Sequence, residues 1–220
     1  MADNKVLLEV TENHLNTGLR GVPVGTCRTS FVTPTEGVHY CGYPIAELAA
    51  FAPEDIIYLL FNKELPTSEQ SKQIRSELAA RATIPGDVES VLKTLPRDGH
   101  PMDWLSVGIH TLGMLETTND WRADAMNLIA RMPRLMGLIF RIRDGRAEEI
   151  PADDPQASLV DRFVNALDLK GVDKEKMTRV ISTYLVLHMD HGGRQPLNLL
   201  RQSDCIGSRH TVLVHGWGHE

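Results

Sequence analysis

The chain has 220 residues, of which 42% are apolar and 24% charged, with a formal net charge of -6. This is ordinary globular usage, enough for one sizeable core or for part of a larger one. The acidic balance argues against a nucleic-acid or anionic-membrane partner, and no apolar run reaches membrane-spanning length.

The β-prone part comes first. Residues 26–32 and 37–41 are rich in Val, Thr, Phe and Tyr and flank the polar turn Thr33-Pro34-Thr35-Glu36, which predicts a short hairpin. From Tyr43 the periodicity becomes helical. A helix is expected over 45–50 behind Pro44, and another over 53–61, opened by Pro53 with Glu54 and Asp55 in its first turn. A third follows Pro66, capped by Thr67 or Ser68, and a fourth starts at Pro85-Gly86-Asp87. Residues 102–115 and 121–143 predict two longer helices. The second half of 121–143 is nearly apolar all round, which marks it as central and buried. After an acidic loop at 146–155, helices are expected over 157–167 and 174–191. The expected fold class is all-α, multi-helical, with a small N-terminal β element. The expected division is 1–43, an N-terminal segment with the hairpin; 44–193, the helical part; and 194–220, a tail without sustained periodicity.

Cysteine usage bears on location. Cys27, Cys41 and Cys205 are odd in number and lack a CxxC spacing, so reduced thiols are expected rather than a disulfide framework. The N-terminus shows no charged segment leading into an apolar one, and the expectation is a soluble, cytoplasmic protein.

The candidate site is the end of the last helical run, Tyr184-Leu185-Val186-Leu187-His188-Met189-Asp190-His191-Gly192-Gly193. On a helix, the spacing of His188 and His191 would put both imidazoles on one side, about a turn apart. Asp190 would point away from them, which makes it a poor third ligand, and no zinc-type spacing is present. No metal is therefore expected. Either histidine taken alone could be a satisfied core residue. Together, followed by glycine backbone, they suit a small carboxylate. A second stretch, Pro96-Arg97-Asp98-Gly99-His100-Pro101-Met102-Asp103, reads as a helix start with Pro101 at the first position. Gly18-Leu19-Arg20-Gly21-Val22 reads as a tight turn, since no phosphate-type glycine pattern precedes a helix.

Four segments in order resemble the citrate synthase family. They are Gly18-Leu19-Arg20-Gly21-Val22-Pro23-Val24; Tyr40-Cys41-Gly42-Tyr43-Pro44-Ile45-Ala46-Glu47-Leu48-Ala49; Leu95-Pro96-Arg97-Asp98-Gly99-His100-Pro101-Met102-Asp103, with Leu112-Gly113-Met114; and His188-Met189-Asp190-His191-Gly192-Gly193. The resemblance covers residues 5 to about 193 and implies the N-terminal part of that family's large domain. It implies condensation of oxaloacetate with acetyl-coenzyme A and water to give citrate and coenzyme A, a tricarboxylic acid cycle reaction. Acetyl-coenzyme A is then a co-substrate, no cofactor is required, and the partner is a second copy in a homodimer. Trp104, Leu105 and the run 135–142 are candidate faces for it. His191, Gly192 and Gly193 would line the oxaloacetate site, with His188 beside them.

The resemblance assigns no catalytic residue to this chain. The family's proton-abstracting Asp and the histidines of its G-P-L-H-G and G-[FY]-G-H segments fall beyond the position of Gly193. Residues 194–220 continue Arg194-Gln195-Pro196 instead. One coding of residues 193–198, read a base later, gives Gly-Gly-Asn-Leu-Ser, the continuation expected of the family. Truncation or a frame shift after Gly193 is therefore expected. The alternatives are a 2-methylcitrate synthase and a non-catalytic helical fragment for binding or dimerisation.

Overall fold

A computed structural model describes residues 6, 8–16, 27–118, 120–146, 154 and 156–190. The turn at 34–36 closes a hairpin of β1 (Ser30–Thr33) and β2 (Gly37–Tyr40), with Ser30 opposite Tyr40 and Thr33 opposite Gly37. The Glu36 amide donates to Thr33 Oγ1 at 2.9 Å, which holds the turn. Helix was expected from Tyr43, but Tyr43–Pro44 forms β3, antiparallel to β2. Cys41 (φ 50) and Gly42 (φ 94) take left-handed conformations and fold the chain back, so that Tyr43 pairs with Tyr40. Residues 18–22 lie outside the described residues.

Among the described residues, eight α-helices follow: α1 (Ile45–Leu48), α2 (Pro53–Asn62), α3 (Ser68–Ala80), α4 (Gly86–Lys93), α5 (Pro101–Glu116), α6 (Trp121–Arg143), α7 (Leu159–Leu167) and α8 (Lys174–His188). Their starts follow local chemistry. Pro53 and Pro101 stand in first turns, where a missing amide is harmless. Thr67 and Gln70 form a reciprocal capping box at α3, and Ser158 and Asp161 do the same at α7. That cap explains why α7 starts at Leu159 rather than at 157. His100 caps α5 by accepting the Met102 amide on Nδ1 at 3.2 Å, so the 96–103 stretch is the helix start read from sequence. Lys63 (φ 68) and Asp168 (φ 48) close α2 and α7 in the left-handed region usually given to glycine.

The main core lies between α4, α5, α6 and α7, where Val88, Leu92, Trp104, Leu112, Leu135, Leu138, Ile139, Ile142 and Ala166 bury one another. Two glycines bring the helices close: a side chain at Gly108 would strike Leu135, and one at Gly137 would strike Ala166 on α7. The central, buried α6 expected from sequence is thus observed. Its burial overturns another expectation. Trp104 and much of 135–142 are covered by α4, α5 and α7 rather than presented to a partner, and Trp104 Nε1 donates to the Pro96 carbonyl at 3.2 Å. At the end of α6, Arg141 is buried and lies 3.6 Å from the Asp168 carboxylate.

A second cluster joins the hairpin to α2 and α8 through Tyr40, Leu48, Ile56, Leu59 and Val186. A third lies under α3, with Ile57, Ile74, Leu78, Met126 and Ala130. Met189 packs against both. Beside them Glu54 is buried; its Oε1 accepts the Leu159 amide at 2.7 Å, and Arg75 Nε lies 3.9 Å away. A carboxylate therefore sits against the start of α7, where the helix dipole favours it.

Among the described residues, no helix is long and apolar enough to cross a membrane.

Candidate functional site

The end of α8 defines the candidate site. Asp173 caps the helix by accepting the Lys176 amide at 3.0 Å, and Val186 anchors its far end in the hairpin cluster. The helix was expected to run to residue 191, but it stops at His188. The physical reason lies at Asp190. In a continuing helix its amide would donate four residues back, to Val186; here it donates to Tyr40 Oη at 3.3 Å. His188 is therefore the last residue of the helix.

His188 is exposed, not a core residue, and its own helix orients it. Its Nδ1 lies 2.8 Å from the Tyr184 carbonyl, and its ring stacks on Tyr184 with centroids 4.1 Å apart. Because a carbonyl accepts, Nδ1 carries the proton. The neutral ring then offers the Nε2 lone pair outward, and the imidazolium would offer a second N–H. His191, Gly192 and Gly193, the other expected substrate-binding residues, lie outside the described residues. Among the described residues, no group of three or more His, Cys, Asp or Glu side chains is arranged to hold a metal ion.

The wall behind the helix end is the hairpin turn. Tyr40 is fully buried, which pushes its phenol above the ordinary pKa. The Asp190 amide opposes the shift and the Asp190 charge reinforces it. The Cys41 thiol is also pushed up by burial; nearby Lys63 opposes this and Asp190 adds to it. At Cys27 burial acts upward, but hydrogen bonds from Thr29 and Ser30 outweigh it and hold the thiol below its ordinary value. Both cysteines are free thiols.

Sequence reasoning missed two members of this neighbourhood. Tyr40 was visible as a strand residue, and nothing nearby announces a partner at Asp190, 150 positions away. Glu54 read as one of two first-turn acids, yet its hydrogen bond goes to Leu159, 105 positions on.

Comparisons with known proteins agree on a family. The sequence model described as citrate synthase, C-terminal domain, matches residues 18–196, a span that includes both the 18–22 segment and the 188–193 segment. Citrate synthase 4, mitochondrial, of Arabidopsis thaliana is 28% identical over 200 residues, covering 80% of this chain and 41% of that protein. The mitochondrial citrate synthase of Xiphias gladius is 28% identical over 209 residues, covering 84% and 44%. This chain therefore spans less than half the length of those relatives. Among solved structures, citrate synthase of Thermotoga maritima superposes with a TM-score of 0.69 at 22% identity, over 80% of this chain and 47% of that one. Citrate synthase of Thermoplasma acidophilum, solved as a ternary complex with carboxymethyl coenzyme A and oxaloacetate, gives 0.75 at 22% identity, over 87% and 52%. The structural likeness shows a shared fold: a multi-helical array with a small β element. The sequence match over most of its length places this chain in the citrate synthase family.

Proposed function

We propose that this chain contributes to a citrate synthase-type acyltransferase, with the segment leaving α8 binding oxaloacetate. The observation that carries the reading is the family match over 18–196, which takes in the whole His188–Gly193 stretch. The Thermoplasma acidophilum relative was solved with oxaloacetate and a coenzyme A analogue, which supports the same ligand classes here.

The residues suit the first half of the chemistry. Oxaloacetate is a dianion whose ketone must be polarised before a carbon nucleophile can attack. Histidine N–H groups and glycine amides are donors of the needed kind; with its Nδ1 proton on the Tyr184 carbonyl, His188 would donate to a substrate only as the imidazolium, through Nε2. In the proposed reaction a base removes a methyl proton from acetyl-coenzyme A. The enol carbon then bonds to the ketone carbon, whose oxygen takes a proton, and water cleaves the thioester to release citrate and coenzyme A. The base and the remaining histidines are not assigned to any residue of this chain. Acetyl-coenzyme A enters as co-substrate, without a resident cofactor or metal. The unpaired cysteine pattern supports a reducing, cytoplasmic location.

A second reading is a non-catalytic helical protein that binds a carboxylate or pairs with a second copy. The exposed Val180, Tyr184 and Leu187 on α8 support a homodimer.

Calorimetry with oxaloacetate, and a thiol-release assay with acetyl- and propionyl-coenzyme A, separate these readings. The expected result is oxaloacetate binding without thiol release from the purified 220-residue chain. Turnover with acetyl-coenzyme A would establish a complete catalyst, and preference for the propionyl donor would establish the 2-methylcitrate reaction. Absence of oxaloacetate binding would sink the proposed site.

A further inference from the structure

Between α2, α3 and the first turns of α6 lies an open cleft of about 380 Å³, and none of its lining residues belongs to α8. Its floor is apolar: Ile74 and Met126 are buried members of the third cluster, with Tyr58 and Phe61 packed against them. Its rim carries two guanidinium groups in different electrostatic states. Arg81 donates Nη2 to the Glu77 carboxylate at 2.8 Å and Nη1 to Asn127 Oδ1 at 2.7 Å, so its charge is offset. Arg122 donates Nη2 to Asn62 Oδ1 at 2.7 Å and lies over the Phe61 ring, 5.0 Å from its centroid. Both of those contacts are uncharged, and among the described residues Arg122 forms no ion pair. Asp120, the other carboxylate on the rim, accepts the Arg122 and Ala123 amides on Oδ1 as the cap of α6.

The stack holds Arg122 in place. Phe61 lies under the guanidinium and itself stacks on Trp121, with centroids 6.0 Å apart, while Asn62 fixes one edge of the fork. The remaining N–H groups of the fork are left for a planar acceptor such as a carboxylate. We propose that this cleft is a second small-molecule site, taking an organic monoanion whose carboxylate meets Arg122 and whose apolar body lies on Tyr58, Ile74 and Met126. Its volume is at the small end of the range for ligand pockets, roughly 300–1,000 Å³, which suits a body of about one ring. The charge count selects a monoanion. One guanidinium is uncompensated, and a second negative charge on the ligand would face Glu77 and Asp120. The site is separate from the one proposed at the end of α8, and oxaloacetate, a dianion without an apolar body, is the wrong ligand for it.

Phenylacetate is the probe, titrated into the 220-residue chain while the Met126 methyl and the Trp121 indole N–H are followed by NMR. The expected result is a saturable shift of both signals. Phenylacetamide, which lacks the charge, and phenylmalonate, which adds a second one, should each bind about tenfold more weakly, the worth of one charge-assisted hydrogen bond. Arg122→Gln should weaken phenylacetate by a similar factor, and Ala123→Leu, which fills the cleft from α6, should abolish the shifts. Arg179→Gln, which removes an exposed arginine on α8, should leave binding unchanged. No saturable shift with phenylacetate would overturn the site, as would shifts that persist in Ala123→Leu. Phenylacetamide binding as tightly as phenylacetate, or undiminished binding in Arg122→Gln, would overturn the role of Arg122. Equal binding of phenylmalonate would overturn the choice of a monoanion. An equal loss in Arg179→Gln would overturn the site in favour of non-specific charge attraction.

Discussion

The α6 helix and the α8 helix use the same physics to different degrees. Both are amphipathic and both start at an aspartate cap. Yet α6 buries nine residues, including Leu135, Ile139 and Ile142, whereas Val186 is the buried residue of α8. On α8, Val180 and Tyr184 are each 60% exposed and Leu187 41%. Stability therefore resides in the α4–α7 core, and the candidate site stands on the less supported element. What secures α8 at its site end is specific rather than extensive: Val186, Met189 and the backbone hydrogen bonding of Met189 and Asp190 to Tyr40.

This contrast can be attacked from the core outward. Leu135→Ala should cost about 2–5 kcal/mol in denaturant unfolding, because a fully buried leucine leaves a cavity between α5 and α6. Glu54→Ala should cost about 1–3 kcal/mol, since it removes a buried carboxylate and strands the half-buried Leu159 amide. Gly137→Ala should cost about 1–3 kcal/mol through overpacking against Ala166, and Ala166→Gly should recover part of the loss. On α8, Val180→Ser with Leu187→Ser should change stability by no more than about 0.5 kcal/mol per site while reducing self-association in sedimentation velocity. A large destabilisation by that pair would erase the contrast. The smallest effect concerns pH. The Tyr40 pKa is raised in the fold, so its contribution is complete below the ordinary tyrosine value of about 10 and is lost as pH rises past the folded value. Melting temperature should fall less steeply above that pH in Tyr40→Phe.

The parts legible in sequence were those decided locally. Proline at a first turn, threonine at a cap and an all-round apolar run place α2, α3 and α6, and no distant partner competes with those signals. The hairpin was legible from its turn. Its third strand was not, because it depends on left-handed backbone at Cys41, a residue type that gives no hint of it. The end of α8 was misplaced by three residues for a similar reason. Periodicity continues through Leu187 and His188, and the amide that stops the helix is diverted by a hydroxyl from the hairpin. Trp104 was a candidate partner face on the expectation that part of a larger core would expose apolar surface. Its burial is set by α4 and α6. The motif at 188–193 was readable as chemistry, while the geometry of its last three residues lies outside the described part.

Asp168 shows where design by simple rules would mislead. Its left-handed backbone invites glycine, which would relieve the strain of closing α7. But its carboxylate is also the ion-pair partner of buried Arg141 at the end of α6. A glycine there would relax one helix while leaving the other with less compensation for its charge. One residue thus answers to two masters, and a stabilising substitution in this family member is better sought at Lys63. That position has the same backbone strain, and its ammonium makes an exposed contact with the Leu60 carbonyl and lies near the Cys41 thiol.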